Sequence, residues 1–335
     1  MVSAGIAGAA GSGTGIVGTE ATGPDRLAVL CGPTAVGKTA VAVDLAVRLG
    51  AEIIAADSRT IYRGMDVGTA KPTPEQRRRV PHHLLDVADS AERFTLAQYQ
   101  RRARGVLAEI RARGRLPLLV GGTGLYIRAV VDDLSIPLVP PDPALRARLE
   151  ADENAHAPGH LHARLVALDP AAAAHIHPRN LRRIIRALEV TLLTGRPISA
   201  QQRRGATPGA VAMVGLILPR PELHRRIDAR ADVQLASGLI EETRRLLESG
   251  VPPDAPSMQA LGYKEIAGWL QGQYDYPEAV SRLKRNTRRY AKRQFTWFRR
   301  DPRITWVDVG DLTVEGLAAR VHAIMDAEFS KRGRA

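Results

Sequence analysis

Hydrophobic positions along the chain alternate between short apolar runs and helical patterns. Residues 26–31 ("RLAVLC") form a short apolar run that predicts a buried strand. From Lys38 to Leu49 the apolar residues recur at the spacing of one helix face, and Gly50 follows as a typical stop signal. We therefore predict a strand, a glycine-containing loop and a helix in succession.

The same pattern continues through the rest of the chain. Thr95 and Gln98 form a capping box ahead of a helical pattern that extends to residue 114. Further apolar runs predict strands at residues 51–58, 115–124, 210–218 and 304–309. Strands that alternate with helices predict an α/β fold with a doubly wound parallel sheet, which binds its ligands at the carboxyl ends of the strands.

Two stretches depart from this alternation. Residues 135–209 contain Pro-punctuated, Arg-rich helical patterns without a strand-like run, which predicts an all-helical insertion into a core formed by 26–134 and 210–335. Residues 1–25 are mostly Gly, Ala, Ser and Thr and lack the features of a secretory signal, so we predict a disordered tail. No uncharged apolar run approaches the roughly 18 residues that span a bilayer, and we expect no membrane contact.

The overall charge favours an anionic partner. Lys and Arg number 48 against 35 Asp and Glu, a formal net charge of +13, which suits nucleic acid but also fits a genome that favours Arg. The single cysteine, Cys31, excludes an internal disulfide and suggests a reducing cytoplasm. The pairs His82–His83 and His175–His177 lack two further ligands nearby, so we expect no zinc site.

A phosphate-binding loop is the clearest chemical signal. Residues 32–39 (GPTAVGKT) match G-x-x-x-x-G-K-[ST] between a predicted strand and a predicted helix. Backbone amides and the helix N-terminus can wrap an anion, while Lys38 pairs with outer phosphate oxygens and Thr39 can hold Mg²⁺. The predicted loop residues are Gly32, Pro33, Thr34, Ala35, Val36, Gly37, Lys38 and Thr39.

The surroundings of this loop leave two chemistries open. Hydrolytic P-loop proteins usually place an Asp after a later strand to help hold Mg²⁺, but the run at 115–124 ends in Gly121, Gly122 and Thr123, which argues against an ATP-driven motor. Asp57, at the end of the second predicted strand, could assist a metal or accept a proton, or simply cap a helix. Phosphoryl transfer to a small acceptor and displacement of a diphosphate leaving group both fit.

Several stretches, in order along the chain, resemble the tRNA dimethylallyltransferases. The resemblance covers residues 27 to about 308 and rests on 32–39 (GPTAVGKT), 57–72 (DSRTIYRGMDVGTAKP), 81–86 (PHHLLD), 118–129 (LLVGGTGLYIRA), 182–190 (RRIIRALEV), 218–227 (LPRPELHRRI), 261–266 (LGYKEI) and 287–299 (TRRYAKRQFTWFR). It implies a P-loop core, transfer of a dimethylallyl group from dimethylallyl diphosphate to the N6 amine of the adenosine 3′ of the anticodon in tRNA, Mg²⁺ dependence, and a cytoplasmic monomer.

The resemblance also implies roles for individual residues. Asp57 would be the general base, Thr34 and Arg220 would contact the diphosphate or its bridging oxygen, and the loop would cradle the departing diphosphate. The residues matching tRNA contacts are Asp57, Ser58, Arg59, Thr60, Thr123, Arg146, Arg182, Arg183, Ile184, Ile185 and Arg186. Arg179 and Asn180 stand where the family commonly has Asn and Asp.

Three alternatives remain at the level of sequence. An adenylate isopentenyltransferase acting on free AMP, ADP or ATP would share the loop, but a mononucleotide does not need an Arg-rich insertion to hold it. A P-loop nucleotide or small-molecule kinase would account for the loop and Asp57 alone. A non-catalytic RNA-binding module would use the basic residues and would not need the loop.

Overall fold

A parallel sheet forms the centre of the molecule. The computed structural model describes residues 26–201, 205, 209–310 and 312–332, so the predicted tail at 1–25 lies outside the described residues. The strands of the described sheet have the order β3-β2-β4-β1-β5-β6, and every neighbouring pair is parallel. They are β1 (Arg26–Cys31), β2 (Ala51–Ala55), β3 (His82–His83), β4 (Leu116–Gly121), β5 (Ala210–Ile217) and β6 (Ile304–Asp308).

The central strands β1 and β5 are apolar apart from Arg26 at the start of β1, because helices cover both faces of the sheet. In the register of the sheet, Leu30 of β1 lies opposite Val120 of β4 and Val214 of β5. The carboxyl ends of these strands therefore meet at one edge. The predicted doubly wound α/β fold with a phosphate loop at this edge is confirmed.

Each face of the sheet has its own apolar layer. On one face, Val41 and Leu45 pack with Leu317 and Val321. On the other face, Tyr99, Leu107 and neighbouring residues pack against β1 and β4. The helices of these layers are α1 (Lys38–Leu49), α3 (Leu96–Ala112), α4 (Gly124–Val131) and α14 (Val314–Arg332). The predicted capping box of Thr95 and Gln98 begins α3 as expected.

Four helices after β5 form a third apolar cluster beside the sheet. This cluster joins Leu239, Tyr263 and Leu283 to the segment that follows β2, including Ile61 and Met65. The helices are α10 (Arg220–Ala236), α11 (Leu239–Glu248), α12 (Tyr263–Leu270) and α13 (Tyr276–Phe298). The long α13 thereby lies against the carboxyl edge of the sheet, where it reaches the phosphate loop.

The stretch between α4 and β5 is helical throughout its regular elements. Its helices are α5 (Pro143–Ala155), α6 (His160–Leu168), α7 (Pro170–His175), α8 (Leu181–Thr194) and α9 (Ile198–Gln201). Leu149, Leu161, Leu165 and Leu188 are buried in a cluster formed by residues of this stretch alone. This separate core supports our proposal that residues 135–209 are one inserted unit.

Two short elements are not predicted by the sequence patterns. Helix α2 (Pro74–Arg79) begins with a capping box at Thr73 and buries none of its residues, so it has no apolar stripe to find. The strand β3 has only two residues, too few to show a periodicity, and it extends the sheet beyond β2. Among the described residues, no helix is both long enough and apolar enough to cross a membrane.

Candidate active site

The loop at 32–39 adopts an open, anion-binding conformation. Gly32 has a φ of 142°, and a Cβ there would lie 2.6 Å from the carbonyl oxygen of Leu216, so only glycine fits between β1 and β5. Ala35 and Gly37 also have positive φ, of 64° and 102°. Gly37 is the N-cap of α1 without a side-chain capping bond, and no acidic residue occupies the first turn. The amides and dipole at this end of α1 are thus available to an anion.

Lys38 is half-buried at the end of the loop. Its Nζ donates a hydrogen bond of 2.7 Å to the carbonyl oxygen of Pro33. Burial lowers the pKa of Lys38 to about 8, while the Asp57 carboxylate acts in the opposite direction and Arg230 adds to the lowering. Lys38 is therefore a cation that loses its charge only a little above neutral pH, in the field of Asp57 and Arg230.

Asp57 stands between two cavities. Its Oδ1 accepts a hydrogen bond of 2.9 Å from the backbone N–H of Arg59, so it closes a turn and does not cap a helix. On one side a cavity of about 110 Å³ is lined by Asp57, Lys38 and Thr39. On the other side a cavity of about 230 Å³ is lined by Asp57 and by residues of α10 and α13 such as Gln234 and Thr287. The carboxylate is thus accessible from the phosphate loop and from a second compartment.

The structure brings Arg230, and not Arg220, to this place. Arg220 is exposed at the first position of α10 and lines a different cavity, next to Pro33. Arg230 follows about three turns later; it lines both cavities beside Asp57, and its Nη1 lies 3.3 Å from the Oγ1 of Thr34. Burial lowers the pKa of Arg230, and Asp57 opposes that shift.

The prediction for Arg220 therefore needs correction. The pattern of buried residues along α10 already indicates Arg230. Leu223, Ile227 and Ala231 are the buried residues of α10. Arg230 lies on this inward stripe, three positions after Ile227, whereas Arg220 precedes the stripe at the exposed end of the helix. A charged residue on a core-facing stripe indicates a site, and this signal was missed.

The glycines after β4 are a contact surface for α13. A Cβ at Gly122 would lie 2.2 Å from the Nε2 of Gln294, and a Cβ at Gly124 would lie 2.1 Å from the ring of Trp297. Gln294 is buried; its Nε2 donates to the Gly122 carbonyl oxygen at 2.9 Å, and its Oε1 accepts from the backbone N–H of Thr34 at 2.8 Å. The residues at 121–124 therefore allow α13 to reach the phosphate loop.

Tyr290 lies one turn before Gln294 and borders both cavities. Burial raises the pKa of its phenol to about 12, and the Asp57 charge contributes to the rise. The phenol thus stays protonated at neutral pH and can donate a hydrogen bond. Phe298, later on the same helix, lies instead in the apolar core.

Several residues matched to tRNA contacts surround the same opening. The Oγ1 of Thr123 accepts a hydrogen bond of 3.0 Å from the backbone N–H of Ser58, which ties the end of β4 to the turn after β2. The Arg59 guanidinium donates to the Pro256 carbonyl oxygen. Thr60 is 8% exposed and lines the smaller cavity, and its Oγ1 finds no hydrogen-bond partner within the described part of the chain. A buried, unpaired hydroxyl there suits a polar ligand.

The residues of the helical stretch that match tRNA contacts of the family fall into two groups. Arg146 and Arg186 form ion pairs of 2.7 and 2.6 Å with the fully buried Glu189. Burial alone raises the pKa of Glu189, but the hydrogen bonds from these arginines outweigh it and lower the pKa to about 2. The Arg146 guanidinium thus ties α5 to α8, while Arg186 pairs with Glu189 within α8 and donates to the carbonyl oxygen of Val139. Their contact with RNA stays a prediction.

The remaining members of that group differ in exposure. Ile184 and Ile185 are 1% and 4% exposed and belong to the apolar cluster of the stretch, so their side chains are not available to RNA. Arg182 and Arg183 are exposed in the first turn of α8. The helical period of α8 places the isoleucines on its buried face and these arginines on its exposed face. The match of 182–186 as one continuous run does not distinguish the two faces.

A parallel α/β sheet with a phosphate loop, an adjacent carboxylate and a second cavity is the architecture of a P-loop enzyme. The family model described as IPP transferase matches residues 60–301, and the model described as isopentenyl transferase matches residues 25–91. The chain belongs to the IPP transferase family.

Relatives extend this similarity over most of the chain. A tRNA dimethylallyltransferase of Thermomicrobium roseum is 53% identical over 84% of this chain and 85% of its own length. The crystal structure of the full-length tRNA isopentenylpyrophosphate transferase of Bacillus halodurans is 43% identical, covers 92% of this chain and 98% of its own, and superposes with a TM-score of 0.71. A eukaryotic dimethylallyltransferase acting on tRNA is 26% identical, with a TM-score of 0.77 over 92% of this chain and 80% of its own.

Proposed function

We propose that this protein transfers a dimethylallyl group from dimethylallyl diphosphate to the N6 amine of an adenosine in the anticodon loop of tRNA. The observation that carries this proposal is the position of Asp57, which borders the cavity at the phosphate loop and the cavity on the other side of it. A transferase for two substrates needs such a meeting point. The relatives named tRNA dimethylallyltransferases support this choice of substrates.

The phosphate loop would stabilise the departing diphosphate. As the bond between the allylic carbon and oxygen breaks, its electron pair stays on the diphosphate, where negative charge grows. The loop amides, Lys38 and Arg230 lie around the loop, so a diphosphate bound there would meet them, and they would favour the charge of the transition state over that of the ground state. The Oγ1 of Thr34, beside the Arg230 guanidinium, can donate to the bridging oxygen.

Asp57 would accept the proton from the attacking amine. The N6 nitrogen forms the new bond to the allylic carbon, its proton leaves as that bond forms, and the Asp57 carboxylate takes it up. The aromatic amine is a weak nucleophile, so the timing of this proton transfer matters. Tyr290, which remains protonated, can donate a hydrogen bond on the same side.

The donor set at the loop suits Mg²⁺. Thr39 supplies a hydroxyl to the cavity at the loop, and such an oxygen ligand together with phosphate oxygens is what Mg²⁺ prefers. A bound Mg²⁺ would neutralise part of the charge on the diphosphate. The protein groups named above would still position the donor and move the proton.

Binding of tRNA would use both the larger cavity and exposed basic residues. Because the target base lies within a folded stem-loop, it has to leave its stack and enter a pocket. The cavity of about 230 Å³ beside Asp57 would accept it, and the exposed Arg182 and Arg183 would contact phosphates. We expect the protein to act where tRNA is present, in the cytoplasm, and as a monomer.

One alternative has an observation in its favour. The match of residues 25–91 to the isopentenyl transferase model fits an enzyme that prenylates free AMP, ADP or ATP. A mononucleotide would need only the two cavities. The exposed arginines of α8 and the basic face of α13, which includes Lys292 and Arg299, would then have no ligand.

A labelling experiment separates these functions. The protein is incubated with Mg²⁺, unmodified tRNA and AMP, and with either dimethylallyl diphosphate labelled in the prenyl group or ATP labelled in the γ-phosphate. Prenyl label recovered in tRNA as N6-dimethylallyladenosine is the expected result. Label recovered in AMP would favour the free-nucleotide enzyme, and phosphate label moved from ATP to an acceptor would favour a kinase. Lys38→Ala serves as the control for the loop.

A further inference from the structure

A cluster of metal-ligating side chains lies far along the chain from the phosphate loop, at the junction of α5 and α6. Asp152 is on the last turn of α5, His156 caps that helix, and His160 is the first residue of α6. One ligand atom from each of the three residues lies within 4.8 Å of the other two. The pairs that sequence inspection considered, at 82–83 and 175–177, do not include these residues.

A ring nitrogen of each histidine already lies near one carboxylate. The Nδ1 of His156 and the Nε2 of His160 each lie 3.4 Å from an oxygen of Asp152. The Nδ1 of His156 also lies 2.8 Å from the backbone carbonyl oxygen of Asp152. Since a carbonyl only accepts, a neutral His156 donates from Nδ1 and keeps Nε2 free as a ligand, which is a common arrangement around bound metals.

The segment that joins the two helices is held in place independently of the histidines. The carboxylate of Glu153 accepts hydrogen bonds of 2.8 and 2.7 Å from the backbone N–H groups of Gly159 and Leu161. Gly159, with a φ of 97°, makes the tight reversal between α5 and α6. This framework fixes the backbone on which His156 and His160 stand, so the cost of organising a site is reduced.

The histidine rings are close enough to share an ion but must tilt to do so. Their centroids lie 4.0 Å apart, with 10° between the planes. Tetrahedral ligands with metal–nitrogen bonds of about 2.0–2.1 Å lie roughly 3.4 Å from one another. Both side chains are partly exposed, 52% for His156 and 35% for His160, so the rings can rotate out of the stack. Arg164, 3.4 Å from Asp152, is the neighbouring cation that an incoming metal would displace from the carboxylate.

We propose that Asp152, His156 and His160 bind a divalent transition metal of the zinc class, with water completing a tetrahedral site. Two imidazoles and one carboxylate are ligands for Zn²⁺ or Co²⁺ and are a poor set for Mg²⁺, which selects oxygen. The ion would join the end of α5 to the start of α6 and stabilise the helical stretch. The site is separate from the transfer chemistry and does not depend on the proposed function.

Metal titration of the untagged, metal-stripped full-length protein tests this proposal. At pH 7.5 with excess Mg²⁺, we expect one equivalent of Zn²⁺ to bind by calorimetry with a Kd of about 1–10 µM, a modest affinity for a partly exposed three-ligand site. Co²⁺ should give the visible absorption bands of a tetrahedral complex. The Zn²⁺ titration should also raise the unfolding temperature.

Two variants locate the site. His156→Ala with His160→Ala should weaken Zn²⁺ binding at least tenfold and abolish the Co²⁺ bands, and Asp152→Asn, which keeps the shape of the side chain, should weaken it as well. The control removes the exposed pair His175 and His177 of the same stretch and should bind as the wild type does. Absence of stoichiometric binding to the wild type below about 100 µM, or equal binding to the double variant at 156 and 160, would overturn the proposal.

Discussion

The Oε1 of Gln294 accepts a 2.8 Å hydrogen bond from the backbone N–H of Thr34, a residue 260 positions away in the chain. The same side chain donates from Nε2 to the carbonyl oxygen of Gly122. Helix α13 thus fixes the backbone of the phosphate loop against the end of β4. One backbone amide of the loop, that of Thr34, is thereby occupied by the protein.

Gln294→Ala should impair this arrangement, because it removes both hydrogen bonds that join the loop to Gly122. The change leaves two backbone groups unpaired, at a cost of about 1–3 kcal/mol each when buried, so we expect kcat/KM for dimethylallyl diphosphate to fall about tenfold or more. Steady-state kinetics at saturating tRNA measure this. Gln273→Ala, at an exposed position, is the control and should leave kcat/KM unchanged. An equal kcat/KM in Gln294→Ala and the control would show that the clamp has no effect on the donor.

Arg230 and Arg220 form a matched pair for the diphosphate contact. Arg230→Ala removes a half-buried cation beside Thr34 and should lower kcat/KM for the donor by about 10²–10³, the effect of deleting one donor to a developing anion. Arg220→Ala removes an exposed cation and should change it less than about threefold. Comparable losses in both variants would contradict the placement of the diphosphate next to Arg230.

The half-buried Lys38 predicts a pH dependence of donor binding. Its pKa in the free protein is lowered to about 8, so the ammonium is present below that pH and is lost as the pH rises through 8. Affinity for dimethylallyl diphosphate should therefore fall above pH 8, by up to about tenfold per unit, because a neutral amine cannot pair with the anion. Binding measured from pH 6.5 to 9.5 tests this. Lys38→Ala should bind weakly throughout and lack the inflection near pH 8.

The exposed arginines of α8 should control the salt dependence of tRNA binding. The double variant Arg182→Ala, Arg183→Ala should bind tRNA more weakly. The slope of log K against log salt concentration should become shallower by about 1–2, because fewer phosphate contacts form and fewer counterions are released on binding. Filter binding at 50–300 mM KCl gives the slope. Removing Arg320 and Lys331, two exposed charges on α14, is the control. A slope unchanged relative to the wild type would place the RNA elsewhere.

The fold was predictable because its elements follow simple periodic patterns. The strands β1, β4 and β5 are almost continuous apolar runs. Helix α3 begins at a capping box formed by Thr95 and Gln98. The phosphate loop was predictable because its glycines and Lys38 occur at fixed spacing. These features depend on neighbours in the sequence, and local patterns suffice to find them.

Contacts between distant segments could not be predicted in the same way. That Gln294 would reach Thr34, or that Arg146 of α5 would pair with Glu189 of α8, depends on how distant segments pack in three dimensions. The similarity to a family suggested a role for Arg220, but helical phase places Arg230 at the loop. The sequence indicates such contacts only through polar residues on the buried face of a helix. A polar group in that position needs a hydrogen-bond partner, but the sequence does not say which one.

The transfer step itself tests the central claim most directly. The rate of prenyl transfer is measured in a single turnover, with enzyme in excess over tRNA and dimethylallyl diphosphate saturating, for the wild type, for Asp57→Asn and for Asp254→Asn at an exposed position. We expect Asp57→Asn to lower the rate constant about 10²–10⁴-fold, the range for a lost general base, with tRNA affinity within about threefold of the wild type. A rate constant within threefold of the wild type in Asp57→Asn would contradict a role for this carboxylate between the two cavities.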